Sequence, residues 1–273
     1  MPALQTAVTR SRAPFLARMD ADDRSRPSRL ERQLAWLRRR PDLGAVGCLV
    51  RSIPETSGAT IPDGWLRYER WLNGRRTAEQ VTRDLLVESP LAHPSVTMRR
   101  EAYESVGGYR DFDGPEDYDL WLRLARAGWQ LAKVPTVLLD WRDRPGRLTR
   151  TDPRYRPEAF LALKAQHLVH GPLASLERGR PVWIWGAGRY GRQLCRALEA
   201  AGAGERVQAF VDIDPDKIGR QRRGRQVHDR ADLKSNNDVA VLAAVPVVGA
   251  RALIRRQLTT MGFREGRDYW CCA

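Results

Sequence analysis

The stretch that most restricts the fold is Val182–Trp183–Ile184–Trp185, followed at once by Gly186-Ala-Gly188-Arg-Tyr-Gly191. A short apolar run of this kind reads as a buried strand. Glycines at G-x-G-x-x-G spacing make the tight turn by which a strand enters a helix. The helix is expected over Gln193 to Ala201, and Val207 to Val211 gives a second strand ending in Asp212. Val239 to Val245 supplies a later buried strand and Ala250 to Met261 a further helix. Strand, glycine turn, helix and strand begin an open parallel α/β sheet.

Backbone amides at a helix N-terminus can cradle a diphosphate. Gly186, Gly188 and Gly191 are therefore candidate nucleotide contacts, with Asp212 at the end of the next strand placed for a ribose hydroxyl. Residues 180–273 cover about one mononucleotide-binding half of a full dinucleotide domain, and no dehydrogenase motif accompanies them. A nucleotide-type fold used for contact or positioning, without turnover, stands as the weightier alternative.

A composition shift at Gly171 to Pro181 (GPLASLERGRP) divides the 273 residues into a first domain, 1–172, and a second, 180–273. The net charge of +14 invites a nucleic-acid reading, yet only four of the 47 basic residues are lysine. The arginines are dispersed, and no RNA-binding, paired-zinc or basic-helix signature goes with them, so nucleic acid is not expected as a partner. Weak peripheral contact with an anionic membrane, or attraction to phosphate-rich substrates, fits the charge better. The four cysteines show no metal spacing, and the run Val239 to Ala250 is interrupted by Pro246. That run is too short to span a bilayer. The expectation is a cytoplasmic protein, peripheral at the inner face of the membrane.

In the first part, Pro27 to Arg40 carries Leu30, Leu34 and Leu37 at helical spacing. Gly44 to Val50 reads as a strand, Ala78 to Glu88 as a helix, Ser95 to Met98 as extended chain, and Gly107–Gly108 as a turn. Glu116 to Arg126 is a helix with acids in its first turn, where the macrodipole favours them. Trp129 to Val134 and Val137 to Trp141 read as two strands split by Pro135, and Pro157 to His170 as a helix.

Two acidic groups could carry chemistry. Asp20, Asp22 and Asp23, in "ARMDADD", follow the apolar Phe15–Leu16–Ala17. A D-x-D at a strand end can straddle a divalent metal and a diphosphate, since hard cations take carboxylate and phosphate oxygens. The competing reading is a helix N-cap, with Asp23 and Ser25 ahead of Pro27. Glu116 and Asp117 likewise read either as helix capping or as a general base with its neighbour. His93 is a candidate cleft residue, Arg99 a candidate phosphate contact, and Trp121 belongs on the apolar face of its helix.

Ser89 to Gly128, "SPLAHPSVTMRREAYESVGGYRDFDGPEDYDLWLRLARAG", joins these groups. With RMDADD, HPSV-x-M-R, GGY and EDYDLW in order, the chain resembles family-2 glycosyltransferases of the GT-A fold over Leu4 to His170. The resemblance implies that Asp20 and Asp22 hold Mg²⁺ or Mn²⁺ and the diphosphate of a nucleoside-diphosphate sugar. It implies that Asp117 acts as base, with Glu116 beside it, in inverting transfer to a glycan or lipid-linked hydroxyl. That family's domain opens with a VIPVYN-like strand and a D-D-G-S turn. The first part is accordingly expected to be the C-terminal portion of such a domain, without its first strands, followed by a small Rossmann-like parallel α/β domain. The string Asp212 to Gly219 (DIDPDKIG) resembles Rossmann-like modules attached to sugar-modifying enzymes. The alternative is a non-catalytic nucleotide- or nucleotide-sugar-binding accessory protein that works through the Gly186–Gly191 turn.

Overall fold

A computed structural model describes residues 2–177, 179–234 and 238–273. Two compact α/β units divide the chain: Met1–Leu85 with Ser89–Arg156, and Leu86–Glu88 with Pro157–Ala273. Both units mix helices with a sheet, as the sequence pattern predicts.

The first unit opens with helix α1 (Pro2–Arg10) and carries strands β1 (Phe15–Ala17), β2 (Arg24–Ser25), β3 (Leu43–Pro54), β4 (Thr97–Arg99) and β5 (Gln130–Asp143). Their spatial order is β1-β4-β3-β5-β2. The two long strands β3 and β5 run parallel at the centre, while β4 and β2 flank them antiparallel. Residues Leu43 to Val50 are buried without interruption, as a central strand covered on both faces requires. The core gathers Leu37, Val46, Val50, Leu72, Val134, Leu139 and Trp141.

Helices α2 (Arg29–Arg39), α3 (Asp63–Asn73), α4 (Ala78–Arg83), α5 (Arg100–Ser105), α6 (Glu116–Arg126) and α7 (Leu148–Thr151) complete this unit. Three expectations change. Pro135 does not split the strand: pairing jumps from Cys48↔Val134 to Leu49↔Val137, so a bulge takes up Pro135, which lacks an N–H, together with Thr136. The helix expected to reach Glu88 stops at Arg83, begun by a Thr77–Gln80 capping box and ended where Asp84 leaves helical geometry. In α2 the inward face is Arg29, Gln33 and Leu37, whereas Leu30 is exposed.

The polar members of that face are fully satisfied. Gln33 donates to the carbonyls of Val46 and Ser95, both at 2.7 Å, and accepts from Arg29 Nε and Thr97 Oγ1. Arg29 Nη2 donates to the Arg18 carbonyl at 2.7 Å. A buried network like this fixes one register of helix on sheet, because any other would strand its donors. It also pins the backbone immediately before the acidic motif.

The second unit takes up helix α8 (Pro157–His170), so the units divide at residue 156/157 rather than at 172. Its strands are β6 (Val182–Trp185), β7 (Val207–Asp212), β8 (Gln221–Arg222), β9 (Arg225–Asp229), β10 (Ala240–Ala243) and β11 (Tyr269–Cys271), with helices α9 (Arg189–Ala200) and α10 (Ala250–Thr260). The order is β11-β10-β6-β7-β9-β8, parallel throughout except for the β8–β9 hairpin. Leu168, Ile184, Leu194, Leu198, Phe210 and Leu242 pack its core.

Candidate active site

The acidic motif follows β1. Arg18 continues that edge, its N–H donating to the Val96 carbonyl at 2.9 Å. Its guanidinium then turns onto Asp20 Oδ1 in a close ion pair. Asp22 pairs with Arg144 Nε at 2.8 Å. Asp23 is buried: Oδ1 accepts the Arg142 N–H at 2.8 Å, and Oδ2 has no partner. Burial, helped by the nearby charges of Asp20 and Asp22, pushes the Asp23 carboxyl up to about 6, against the lowering effect of its backbone hydrogen bond. Arg147 lies in the field of these acids, its guanidinium 4.6 Å from the ring centres of both Trp65 and Trp141.

Asp117 stands in the first turn of α6, half-buried, its Oδ1 accepting the Tyr118 N–H at 2.8 Å. Desolvation, then repulsion from Glu116, raises its carboxyl to about 7, although Arg18 and the backbone bond pull the other way. Glu116 is buried and held by the Tyr155 hydroxyl, which donates to Oε2 at 2.7 Å. Of the pair, Glu116 is held by a side-chain hydroxyl and Asp117 by a backbone N–H.

His93 is buried on the 3₁₀ turn ahead of β4, with Nε2 2.7 Å from the Tyr109 hydroxyl and its ring edge-on to Trp121. Burial and the neighbouring Arg18 charge hold the imidazole well below its usual range, so it is neutral at pH 7. Trp121 itself is fully buried on α6. Tyr109 is positioned by the glycine turn before it. Gly108 has φ +62°, and an added Cβ would lie 2.5 Å from the Tyr103 ring. Arg123 of α6, paired with buried Asp119 at 2.6 Å, clamps the turn by donating to the Val106 and Gly108 carbonyls.

Arg18 connects these groups. It is ion-paired to Asp20, and its charge acts on Asp117, His93 and Tyr109 alike. The guanidinium that pairs with Asp20 thus also lies within the electrostatic reach of Asp117 and His93. The structure does not bring Arg99 there. That side chain donates to the carbonyls of Leu37, Arg40 and Leu43 and closes the C-terminal end of α2. Arg18 and Tyr155 escape a reading of the sequence, though Arg18 opens the very string RMDADD; Tyr109 is met there only as the end of the GGY motif.

Among the described residues, no three His, Cys, Asp or Glu side chains converge to cage a metal on their own. The donor set still suits a hard divalent cation whose remaining ligands are diphosphate oxygens, which needs only one or two carboxylates. Among the described residues, the buried Oδ2 of Asp23 has no hydrogen-bond partner and is a further oxygen available there.

In the second unit, each glycine of the turn after β6 has its own role. Gly186 takes φ +119°, with the Ala244 carbonyl oxygen 2.9 Å from where a Cβ would sit. A Cβ on Gly191 would lie 1.8 Å from the Gly186 oxygen, so α9 can approach β6 only as glycine. Gly188 faces open space. The Asp212 carboxylate turns back onto the loop, accepting from the N–H groups of Ala187, Ile213 and Asp214 at 2.9, 2.9 and 3.1 Å.

The first unit thus carries clustered acids after a strand and a raised carboxylate in the first turn of a helix. Residues 1–107 match the Glycosyl transferase family 2 model. The chain is 30% identical over 140 residues to the amylovoran biosynthesis glycosyltransferase AmsE of Erwinia amylovora, covering 51% of this chain and 49% of AmsE. It is 34% identical over 122 residues to the O-antigen biosynthesis glycosyltransferase WbnJ of Escherichia coli, covering 45% of this chain and 44% of WbnJ. The chain thus spans about half the length of the curated relatives it matches. Among solved structures, the mannosyltransferase PcManGT from Pyrobaculum calidifontis, in complex with GDP-Man and Mn²⁺, aligns at 18% identity. That alignment covers 97% of this chain and 60% of the other, with a TM-score of 0.40.

Proposed function

We propose that this protein transfers a sugar, with inversion, from a nucleoside-diphosphate sugar to a hydroxyl of a glycan or lipid-linked acceptor. The observation that carries the reading is Arg18, which is ion-paired to Asp20 and whose charge also acts on the Asp117 carboxyl. The match of residues 1–107 to the Glycosyl transferase family 2 model supports it. The roles printed for AmsE and WbnJ, in amylovoran and O-antigen biosynthesis, support polysaccharide assembly as its setting.

Asp20 and Asp22 would hold Mg²⁺ or Mn²⁺, which when bound neutralises a leaving diphosphate. The protein's own part is to hold the donor beside Arg18 and to place Asp117 against the acceptor. The acceptor oxygen bonds to the anomeric carbon, the bond from that carbon to the diphosphate oxygen breaks, and the hydroxyl proton passes to Asp117 Oδ2. A single displacement of this kind inverts the anomeric centre. Tyr155 keeps Glu116 occupied, and the His93–Tyr109 pair lines the acceptor side. The net charge of +14 supports work in the cytoplasm at the inner face of an anionic membrane.

The test is release of nucleoside diphosphate from a panel of sugar nucleotides with Mn²⁺ or Mg²⁺. Turnover should need the metal and fall at least 100-fold in Asp20→Asn and Asp22→Asn. Equal turnover in chelator would contradict the assignment. A second reading, an accessory protein binding a nucleotide at the Gly186–Gly191 turn, is favoured by the open space at Gly188. Titration of the whole chain with NAD(P), S-adenosylmethionine and sugar nucleotides distinguishes it: tight binding lost in Gly188→Asp, with no metal-dependent donor binding, would favour that reading.

A further inference from the structure

The second unit holds a groove of about 400 Å³ between α9 and the β8–β9 hairpin, lined by Arg189, Arg192, Arg196, Arg222 and Arg223. Its size is within the range of ligand sites. No acidic side chain lines it. Glu199, near its lower end, is already taken by Arg223 and by Arg225, the latter at 2.7 Å. Among the described residues, Arg189 and Arg196 have no hydrogen-bond partner. Arg192 and Arg222 reach only backbone carbonyls, at 3.3 and 3.0 Å. Four guanidinium groups are therefore presented with their donor edges unclaimed by any carboxylate.

The placement is electrostatically unfavourable for the empty protein. Arg192 and Arg196 are an i, i+4 pair of like charge. Arg189 and Arg192 stand at the start of a helix that has no acid in its first turn, adding cations to its positive end. Such a field is relieved by an anion, and planar guanidinium groups match carboxylates and phosphates in bidentate fashion. The remaining lining side chains, Gln193 and Gln221, offer amides suited to hydroxyl groups. No aromatic ring lines the groove for a base to stack on, and it is concave and without apolar residues, unlike a surface that seats on a bilayer.

We propose that this groove binds an acidic oligosaccharide, a glycan chain bearing uronate or phosphate groups, and so holds a charged acceptor chain on the protein. The identity of the ligand as an acceptor rests on the glycosyltransferase reading; the site itself does not. Binding of hexagalacturonate to the full chain, followed by titration calorimetry in 50 mM salt, tests the site without requiring turnover. Hexagalacturonate should bind and weaken steeply with salt, while maltohexaose should not bind. The variant Arg192→Gln/Arg196→Gln/Arg222→Gln should bind at least tenfold more weakly, with donor hydrolysis unchanged. Arg196→Gln alone should give a smaller loss in the same direction. Arg192 and Arg196 are exposed, Arg222 is half-buried, and none belongs to the core, so the variants are expected to fold. Equal affinity of wild type and triple variant would overturn the proposal, as would absence of binding. Decathymidylate or anionic vesicles binding as tightly as hexagalacturonate would also overturn it, by showing an unselective cationic patch. Hexagalacturonate binding with no turnover of any sugar nucleotide would instead leave the groove standing and remove the transferase reading.

Discussion

At the residue scale the proposed base is Asp117, and its charge state would set the pH behaviour. Its carboxyl is raised from an ordinary 3.8 to about 7 by burial and by Glu116; Arg18 and the Tyr118 N–H oppose this, while Tyr109 and Tyr155 lie in the same field. A base must be ionised to accept a proton, so transfer measured as kcat/KM should rise with pH and level off above about 7. The same shift has a cost in stability. Between about pH 4 and 7 the folded protein keeps a proton that the unfolded chain has released, so this group's contribution becomes less favourable as pH rises through that window. Asp117→Asn should therefore raise stability by about 1–3 kcal/mol at pH 8 and change it little at pH 4, read from urea unfolding at both pH values. Asp117 is legible in the sequence because EDYDLW opens a helix with acids. Arg18 is not, although it stands two residues before Asp20. Its importance comes from His93 and Asp117, roughly a hundred residues away in the chain, and no local pattern encodes that meeting. Arg99 makes the complementary case: an arginine beside a motif looks available for phosphate until the carbonyls at the end of α2 are seen to occupy it.

At the scale of elements, α2 and α9 each depend on one residue whose role is set by tertiary contact. Gln33 satisfies four partners inside the first unit. Gln33→Leu would leave the Arg29 guanidinium and two carbonyls short of bonds in the interior and should cost about 2–4 kcal/mol. A loss below 1 kcal/mol in chemical denaturation would mean that the network does not hold α2. A leucine-spacing rule cannot find this face, because it counts Leu30 inward and Gln33 outward, while the hydrogen-bonding needs of Val46, Ser95 and Thr97 reverse them. Gly191 is the opposite case, legible from its spacing and explained by geometry. In Gly191→Ala the new methyl would meet the Gly186 carbonyl, backbone that cannot give way, so the second unit should lose about 2–4 kcal/mol. An unchanged melting temperature would contradict the close approach of α9 to β6. Pro135 shows the limit of breaker rules: a bulge lets one strand continue through a residue that reads as a stop.

For the whole molecule, the two α/β units follow from patterns that survive without tertiary knowledge: apolar runs of strand length, a glycine turn between strand and helix, and acids opening α6. The division at residue 156/157 does not, because α8 carries no mark in its own residues of which core it will join. Each unit offers one reading of function, transfer in the first and nucleotide binding in the second, and the proposed chemistry lies wholly in the first. Steady-state transfer and donor affinity in Asp117→Asn, measured on the full chain with Mn²⁺ and a turned-over sugar nucleotide, separate these directly. Transfer should fall by at least 1,000-fold while the donor Kd stays within about threefold, since the base acts on the acceptor proton and not on the diphosphate. Undiminished transfer in that variant would contradict the account.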